Sequence, residues 1–202
     1  MENSGTIAGN SSMNDISPIL HVGVDIGYRR DTSAVVAVYR HPEWAKQVLF
    51  CHRSWEPPVH IPQVTDYVTM LLEKERVAGV WFDPHQWAAE SQRLAEAGHG
   101  HQLREVEQSG SFMVAIGNNM QMLMQRGDFL LYKDTTVRNH FAWCAAKSTE
   151  RGYRIVKQSQ SKPVDIVVAM AMAVWGSSQD ISHTSHPTYN RSIHSVGLMD
   201  LA

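Results

Sequence analysis

Apolar residues in this chain fall into blocks whose period names the element each block forms. Ile19–Ile26 is nearly continuous apolar, the pattern of a strand buried on both faces. Thr32–Arg40 and Gln47–Trp55 follow as strands after turn signals at Gly27-Tyr28-Arg29-Arg30-Asp31 and His41-Pro42-Glu43. Connections this short predict an antiparallel meander. Pro57, Pro58 and Pro62 end strand pairing, and Val64–Arg76 places Val64, Tyr67, Val68, Leu71 and Leu72 on one helical face. Gly79–Asp83 reads as a fourth strand, Trp87–Ala97 as a helix stopped by Gly98, and Gln102–Val106 as a short fifth strand. Ser111–Arg126 reads as a helix ended by Gly127, followed by the short segment Asp128–Tyr132 and a helix near Thr136–Ala146. A polar hairpin over Lys147–Gln160, turning at Glu150-Arg151-Gly152, precedes a last helix, Pro163–Trp175, with hardly a polar face.

The order β-β-β-α-β-α-β followed by helices predicts an α/β fold: a mixed sheet with an antiparallel meander followed by parallel strands, flanked by helices. The chain has 202 residues, enough for one domain with a sizeable core. Residues 1–17 read as a flexible Ser/Asn/Gly-rich lead-in, 18–178 as the folded domain, and 179–202 as a flexible tail. No stretch approaches the ~20 apolar residues of a membrane span, and the polar start lacks signal-peptide order. Cys51 and Cys144 read as buried free thiols of a reducing cytosol, and no histidine combines with them at a zinc spacing. Net charge is −2, which weighs against tight autonomous DNA binding: any DNA contact by this chain is expected to be weak and salt-sensitive, with another domain or subunit holding the nucleic acid. The methionines of Met113 to Met124 read as core filling.

Three acids stand where apolar elements end: Asp25, Asp83 and Asp165. Charge beside such segments is costly unless something pairs with it, so the three together point to a shared hard cation, Mg²⁺ or Mn²⁺. Each also has a plainer use. Asp25 can satisfy turn N–H groups, Asp83 before Pro84 can cap a helix, and Asp165 can favour a helix N-terminus initiated by Ser161 and Pro163. Lys162 stands close enough in sequence to help keep Asp165 ionised.

The stretches VGVDIGYRRDTSAVVAVYR, GVWFDPHQWAAESQRLAEAG and SKPVDIVVAMAMAVWGS, with EVEQSGSFMVAIGNNMQMLMQRGDFLLYKD between the last two, resemble the nuclease domain of tailed-phage large terminase subunits. The likeness spans residues 18–178 and implies a ribonuclease-H-like fold. It also implies metal-dependent cleavage of double-stranded DNA, cutting concatemeric phage genomes during packaging in the host cytoplasm. Two Mg²⁺ or Mn²⁺ ions are then expected on Asp25, Asp83 and Asp165, with Asp25 bridging, and Asp31 as a fourth acid acting through water. Arg29, Arg30, Lys147, Arg151, Arg154, Lys157 and Lys162 are candidate phosphate contacts; solvated hairpin positions are the alternative. His85 beside Asp83 is either a proton-transfer group or a plain helix-start histidine.

Expected partners are double-stranded DNA, the terminase ATPase domain, the portal and the small terminase subunit. No G-x-x-x-x-G-K-[ST] phosphate loop occurs, so the ATPase belongs either to another part of a longer protein or to a separate chain. The first hairpin also resembles the phosphate hairpin of actin-like kinases, which need a second lobe. A Holliday-junction resolvase and a non-catalytic packaging module, its tail docking to portal or small subunit, are the other readings.

Overall fold

The apolar blocks at the start of the chain pair as their spacing predicts. In a computed structural model that describes residues 17–27, 31–106 and 108–179, β1 (Ile19–Asp25), β2 (Ser33–Arg40) and β3 (Gln47–Trp55) form an antiparallel meander. Helix α1 (Ile61–Lys74) starts before Val64, with Pro62 in the first turn, where its missing N–H costs nothing. It also stops short of Arg76, because β4 (Arg76–Phe82) begins there and runs parallel to β1, Arg76 opposite Ile19. Pairing with a central strand outweighs the helical character of that segment.

A 3-10 turn over Pro84–Gln86 leads into α2 (Ala88–Leu94), whose trailing turn closes at Gly98 in the left-handed region, φ +102°. The strand β5 (Leu103–Glu105) pairs parallel with β4. Helix α3 (Gly110–Arg126) is capped by the Ser109 hydroxyl and terminated by Gly127 at φ +65°. Asp128–Tyr132 contributes only β6 (Phe129–Leu130), parallel to the start of β3. Six strands thus form one sheet in the order β5-β4-β1-β2-β3-β6, the expected mixed architecture.

Helix α4 (Thr135–Ala142), capped by Asp134, ends before Ala146, since β7 (Cys144–Thr149) takes up that segment and pairs antiparallel with β8 (Gly152–Lys157). The hairpin stands outside the main sheet and rests on α3. A Cβ at Gly117 would lie 2.4 Å from the Tyr153 carbonyl oxygen, and Asn118 Oδ1 accepts the Tyr153 N–H at 2.7 Å.

The last helix, α5 (Asp165–Gln179), begins later than Ser161 and runs beyond Trp175. The Val164 carbonyl accepts the Val167 and Val168 N–H groups at 2.8 and 3.1 Å, so Val164 holds the cap position. Ser161 remains in the preceding turn, its hydroxyl 3.2 Å from that of Ser159; Lys162, preceding Pro163, is steered away from helical backbone. Ser177 and Ser178 extend the helix because their hydroxyls accept from Gln47 and Asn119 at 3.1 and 3.4 Å.

Apolar residues cover both faces of the sheet. Ala34, Val36, Val38 and Leu49 pack with α3, α4 and α5, while Leu20, Val22, Val24, Val35 and Ala37 pack with α1 and Trp87. Each valine or leucine among them contributes roughly 1.5–3 kcal/mol on burial. Helix α5 lies over β1 and β2 and is buried along almost all its length, which explains its lack of a polar face. Of the methionines in α3, Met113 and Met120 are core, but Met122 and Met124 are 39% and 49% exposed, correcting the reading of the whole run as core. They lie off the helical face that Met113 and Met120 share, seven residues apart. Cys51 and Cys144 are free but only half-buried, and burial pushes both thiols up. Among the described residues no helix is long and apolar enough to cross a membrane.

Candidate functional site

Parallel pairing sets two of the acids side by side. Val24 of β1 lies opposite Phe82 of β4, so Asp25 and Asp83 emerge one step later from the same end of neighbouring strands. Asp165 reaches that end from the head of α5. Asp25, Asp31 and Asp165 line one open cleft of roughly 490 Å³, with Gln86, Gln108 and Lys157. The cleft opens at the sheet rim, where α/β folds place their ligands.

Asp83 is not in that lining. Its Oδ1 accepts the His85 N–H at 2.9 Å and caps the 3-10 turn, the helix-start role that an Asp-Pro step predicts. His85 itself is exposed on that turn. Among the described residues no three His, Cys, Asp or Glu side chains gather into a ready-made metal cluster. The structure therefore joins Asp25 and Asp165 closely and leaves Asp83 at the margin, near enough to act on Asp25 through its charge.

Burial, then the Asp165 charge, pushes the Asp25 carboxyl from its ordinary 3.8 up to about 7; a hydrogen bond from Gln108 and the charge of Lys157 oppose this, and Asp83 adds to it last. The folded chain consequently binds the Asp25 proton more tightly than the unfolded chain does. This contribution to stability is complete below the unfolded value near 4 and is lost as pH rises through 7. In chelator, Asp25→Asn should be more stable than wild type, with the gap widening from pH 5 to pH 8 by on the order of a few kcal/mol. Urea midpoints at the two pH values test this, and a constant gap would refute it.

Among the described residues the cation that lines the cleft is Lys157, while Lys162 lies outside it. Lys157 Nζ donates to Asp31 Oδ1 at 2.5 Å. Burial works against its charge, yet that bond and the Asp165, Asp31 and Asp25 charges hold its pKa above the usual value. Lys162 instead stands 4.7 Å from the Trp143 ring centroid, a cation–π contact outside the cleft. Asp31 thus lines the cleft as the partner of a lysine.

Lys147, Arg151 and Arg154 are exposed on the β7–β8 hairpin, whose Ile155, Val156 and Lys157 form one wall of the cleft. Lys147 sits directly across from Arg154. Like charges opposed in this way are unfavourable unless an anion lies between or beside them. Arg29 and Arg30 lie outside the described residues, as do residues 1–16 and 180–202, which hold all but the innermost residues of the lead-in and the tail.

Several contributors escape sequence reading. Gln108 Nε2 donates to Asp25 Oδ1 at 3.0 Å, and the buried Thr32 hydroxyl donates to Asp165 Oδ2. Ser33 Oγ accepts the Gly27 N–H at 3.1 Å and donates to the Gly27 carbonyl at 2.9 Å, closing the turn beyond Asp25. His140, 2% exposed, accepts the Ile166 N–H on Nδ1 at 3.3 Å and so caps α5 from α4. Burial lowers its pKa, against the Asp165 charge, which keeps that lone pair available. None of these neutral or buried groups stands out by spacing; Thr32, Ser33 and Gln108 fall within the stretches that carry the family resemblance, but with no role attached.

Comparison with solved structures identifies the architecture. The chain is similar to the HK97 bacteriophage large terminase, with TM-score 0.66 and 16% identity over 79% of this chain and 39% of that one. It is also similar to the large terminase nuclease of thermophilic phage G20c with bound magnesium, with TM-score 0.62 and 19% identity over 78% of this chain and 81% of that one. A third similarity is to the large terminase nuclease domain of bacteriophage SPP1 with bound Mn, with TM-score 0.56 and 12% identity over 78% of this chain and 86% of that one. The chain therefore spans well under half of the HK97 protein and most of the isolated nucleases. No family model and no curated protein matches the sequence. The fold is the ribonuclease-H-like fold of large terminase nuclease domains.

Proposed function

We propose that residues 18–178 are a phage DNA-packaging nuclease that cuts double-stranded DNA with divalent metal, trimming concatemeric genomes in the host cytoplasm. The observation that carries this is the pair Asp25 and Asp165, from a strand end and a helix start, lining one cleft with a single lysine in a fold shared with terminase nucleases. The donor set suits the cation in kind: carboxylate oxygens match Mg²⁺ and Mn²⁺, and two acids that raise the Asp25 pKa are in the predicament a dication relieves. Asp25 and Asp165, with Asp83 at the margin, would hold the metal. The capping role of Asp83 is compatible with this, since a carboxylate has two oxygens.

Such ions supply the positive charge that stabilises the attacking and leaving oxygens of an in-line displacement and acidify the attacking water. The chain's own residues do the rest. Gln108 fixes one oxygen of Asp25 and Lys157 is held by Asp31 at the cleft wall, where an ammonium meets a phosphate oxygen. The opposed Lys147 and Arg154, with Arg151, present a short basic ridge to the backbone of a duplex. With a net charge of −2 the grip is weak and salt-sensitive, so the ATPase domain, portal and small subunit would hold the DNA.

Supercoiled plasmid with Mn²⁺, Mg²⁺ or chelator tests the reading. Nicking and linearisation that require metal are expected, as is a rise in melting temperature at millimolar Mn²⁺ through binding to the folded state alone. Neither cleavage nor a thermal shift with any divalent ion would overturn it.

A further inference from the structure

Asp25 and Asp165 stand 140 positions apart in the chain, yet a two-acid site works only if their separation is fixed. Asp25 is held by its strand: it lies opposite Ala34 in the β1–β2 pairing, and Ser33 closes the turn that follows it. Asp165 is the first residue of α5, whose backbone is seated on the sheet and capped by His140, but neither of these fixes the carboxylate itself. One side-chain bond ties it to the hairpin. Thr32, two residues before Ala34 and 4% exposed, donates its hydroxyl proton to Asp165 Oδ2; Asp165 is itself 6% exposed.

We propose that Thr32 is a positioning residue that locks Asp165 to the Asp25 hairpin and thereby sets the spacing of the two carboxylates. The inference rests on the metal-nuclease reading for its purpose, but the contact exists without it. A hydroxyl has one proton to give, and at this site it is spent on Oδ2, which orients the carboxylate and leaves Oδ1 to other partners. Because donor and acceptor are both buried, the bond is shielded from competing water. Its loss leaves a buried carboxylate oxygen unpaired as well as freeing the rotamer. Partners that orient metal-ligating groups are typically worth 10–100-fold in metal affinity.

Three substitutions and two readouts decide it. Thr32→Val keeps the shape and removes the donor; Thr32→Ser keeps the donor. Calorimetric titration with Mn²⁺ should show affinity lowered by about tenfold or more in Thr32→Val and restored in Thr32→Ser. A merely structural threonine would show the same affinity in both, and that result overturns the proposal. The second readout is thermal unfolding in chelator. Thr32→Val should lower the melting temperature of wild type, and that loss should shrink by at least half in an Asp165→Ala background. An undiminished loss means the hydroxyl does not act through Asp165 and also overturns the proposal. If wild type takes up no Mn²⁺, the nuclease reading fails, and the unfolding comparison alone still decides whether Thr32 holds Asp165.

Discussion

Asp25→Asn should abolish metal-dependent plasmid cleavage, lowering the rate by on the order of 10³-fold, while leaving the protein folded and more stable in chelator. Both effects have one origin. The carboxylate closes a strand buried on both faces, beside Asp165, where burial and the neighbouring charge push it up to about 7. That environment opposes the ionised form on which a cation would sit. The amide keeps the shape and the acceptor that Gln108 meets, and removes only the charge. A variant at once dead and stabilised is the signature of a residue kept for chemistry rather than for folding. Gel assays over an hour-scale time course, with urea unfolding alongside, measure both. Wild-type cleavage by Asp25→Asn would remove Asp25 from the reaction.

Gly23→Ala should be the most damaging single methyl in the chain. An added Cβ would lie 1.8 Å from the Ala169 carbonyl oxygen and 3.0 Å from the Ala173 nitrogen, both backbone atoms of α5. No side chain can turn aside to make room, so the helix itself must lift from the sheet. A loss of about 3 kcal/mol is expected, as overpacking against a rigid partner gives, which lowers the melting temperature by roughly 10 °C. Because α5 carries Asp165, cleavage should fall as well, even at temperatures where the variant is folded. Gly110→Ala is the control: nothing lies within 4 Å of a Cβ there, and it should melt close to wild type. Equal melting temperatures for the two variants would mean that α5 does not seat on β1 as described.

The central strands were legible because nothing competes with them: Ile19–Ile26 and Gln47–Trp55 carry apolar runs bounded by turn residues. Boundaries failed where a tertiary partner decided them. Arg76 reads as a helical end until β1 offers Ile19 for pairing, and Cys144-Ala145-Ala146 reads as helix until Ile155, Val156 and Lys157 lie opposite. Ser161 looks like the cap of α5, but His140 meets the helix from α4 and Val164 takes the position. In the site, acids at element ends were visible as misplaced charge, whereas their orienting partners are neutral. Thr32 and Gln108 lie in stretches that carry the family resemblance, but their contacts to the acids form only across gaps of 133 and 83 positions. Of the candidate lysines, Lys162 is nearer to Asp165 in the chain, but it is the strand of the hairpin that carries Lys157 to the cleft.

The seat of α5 over β1 and β2 also fixes when, in the life of the polypeptide, this site can exist. The meander and β4 emerge first from the ribosome and can pair among themselves, since domains fold from the N-terminal side during synthesis. Asp25 and Asp83 are then already placed, yet one face of the central strands stays bare and the second acid of the cleft is still unmade. The helix that covers that face is the same one that delivers Asp165. A nascent or truncated chain thus exposes that apolar face and lacks half of the acid pair together, and the docking of α5 supplies both at once.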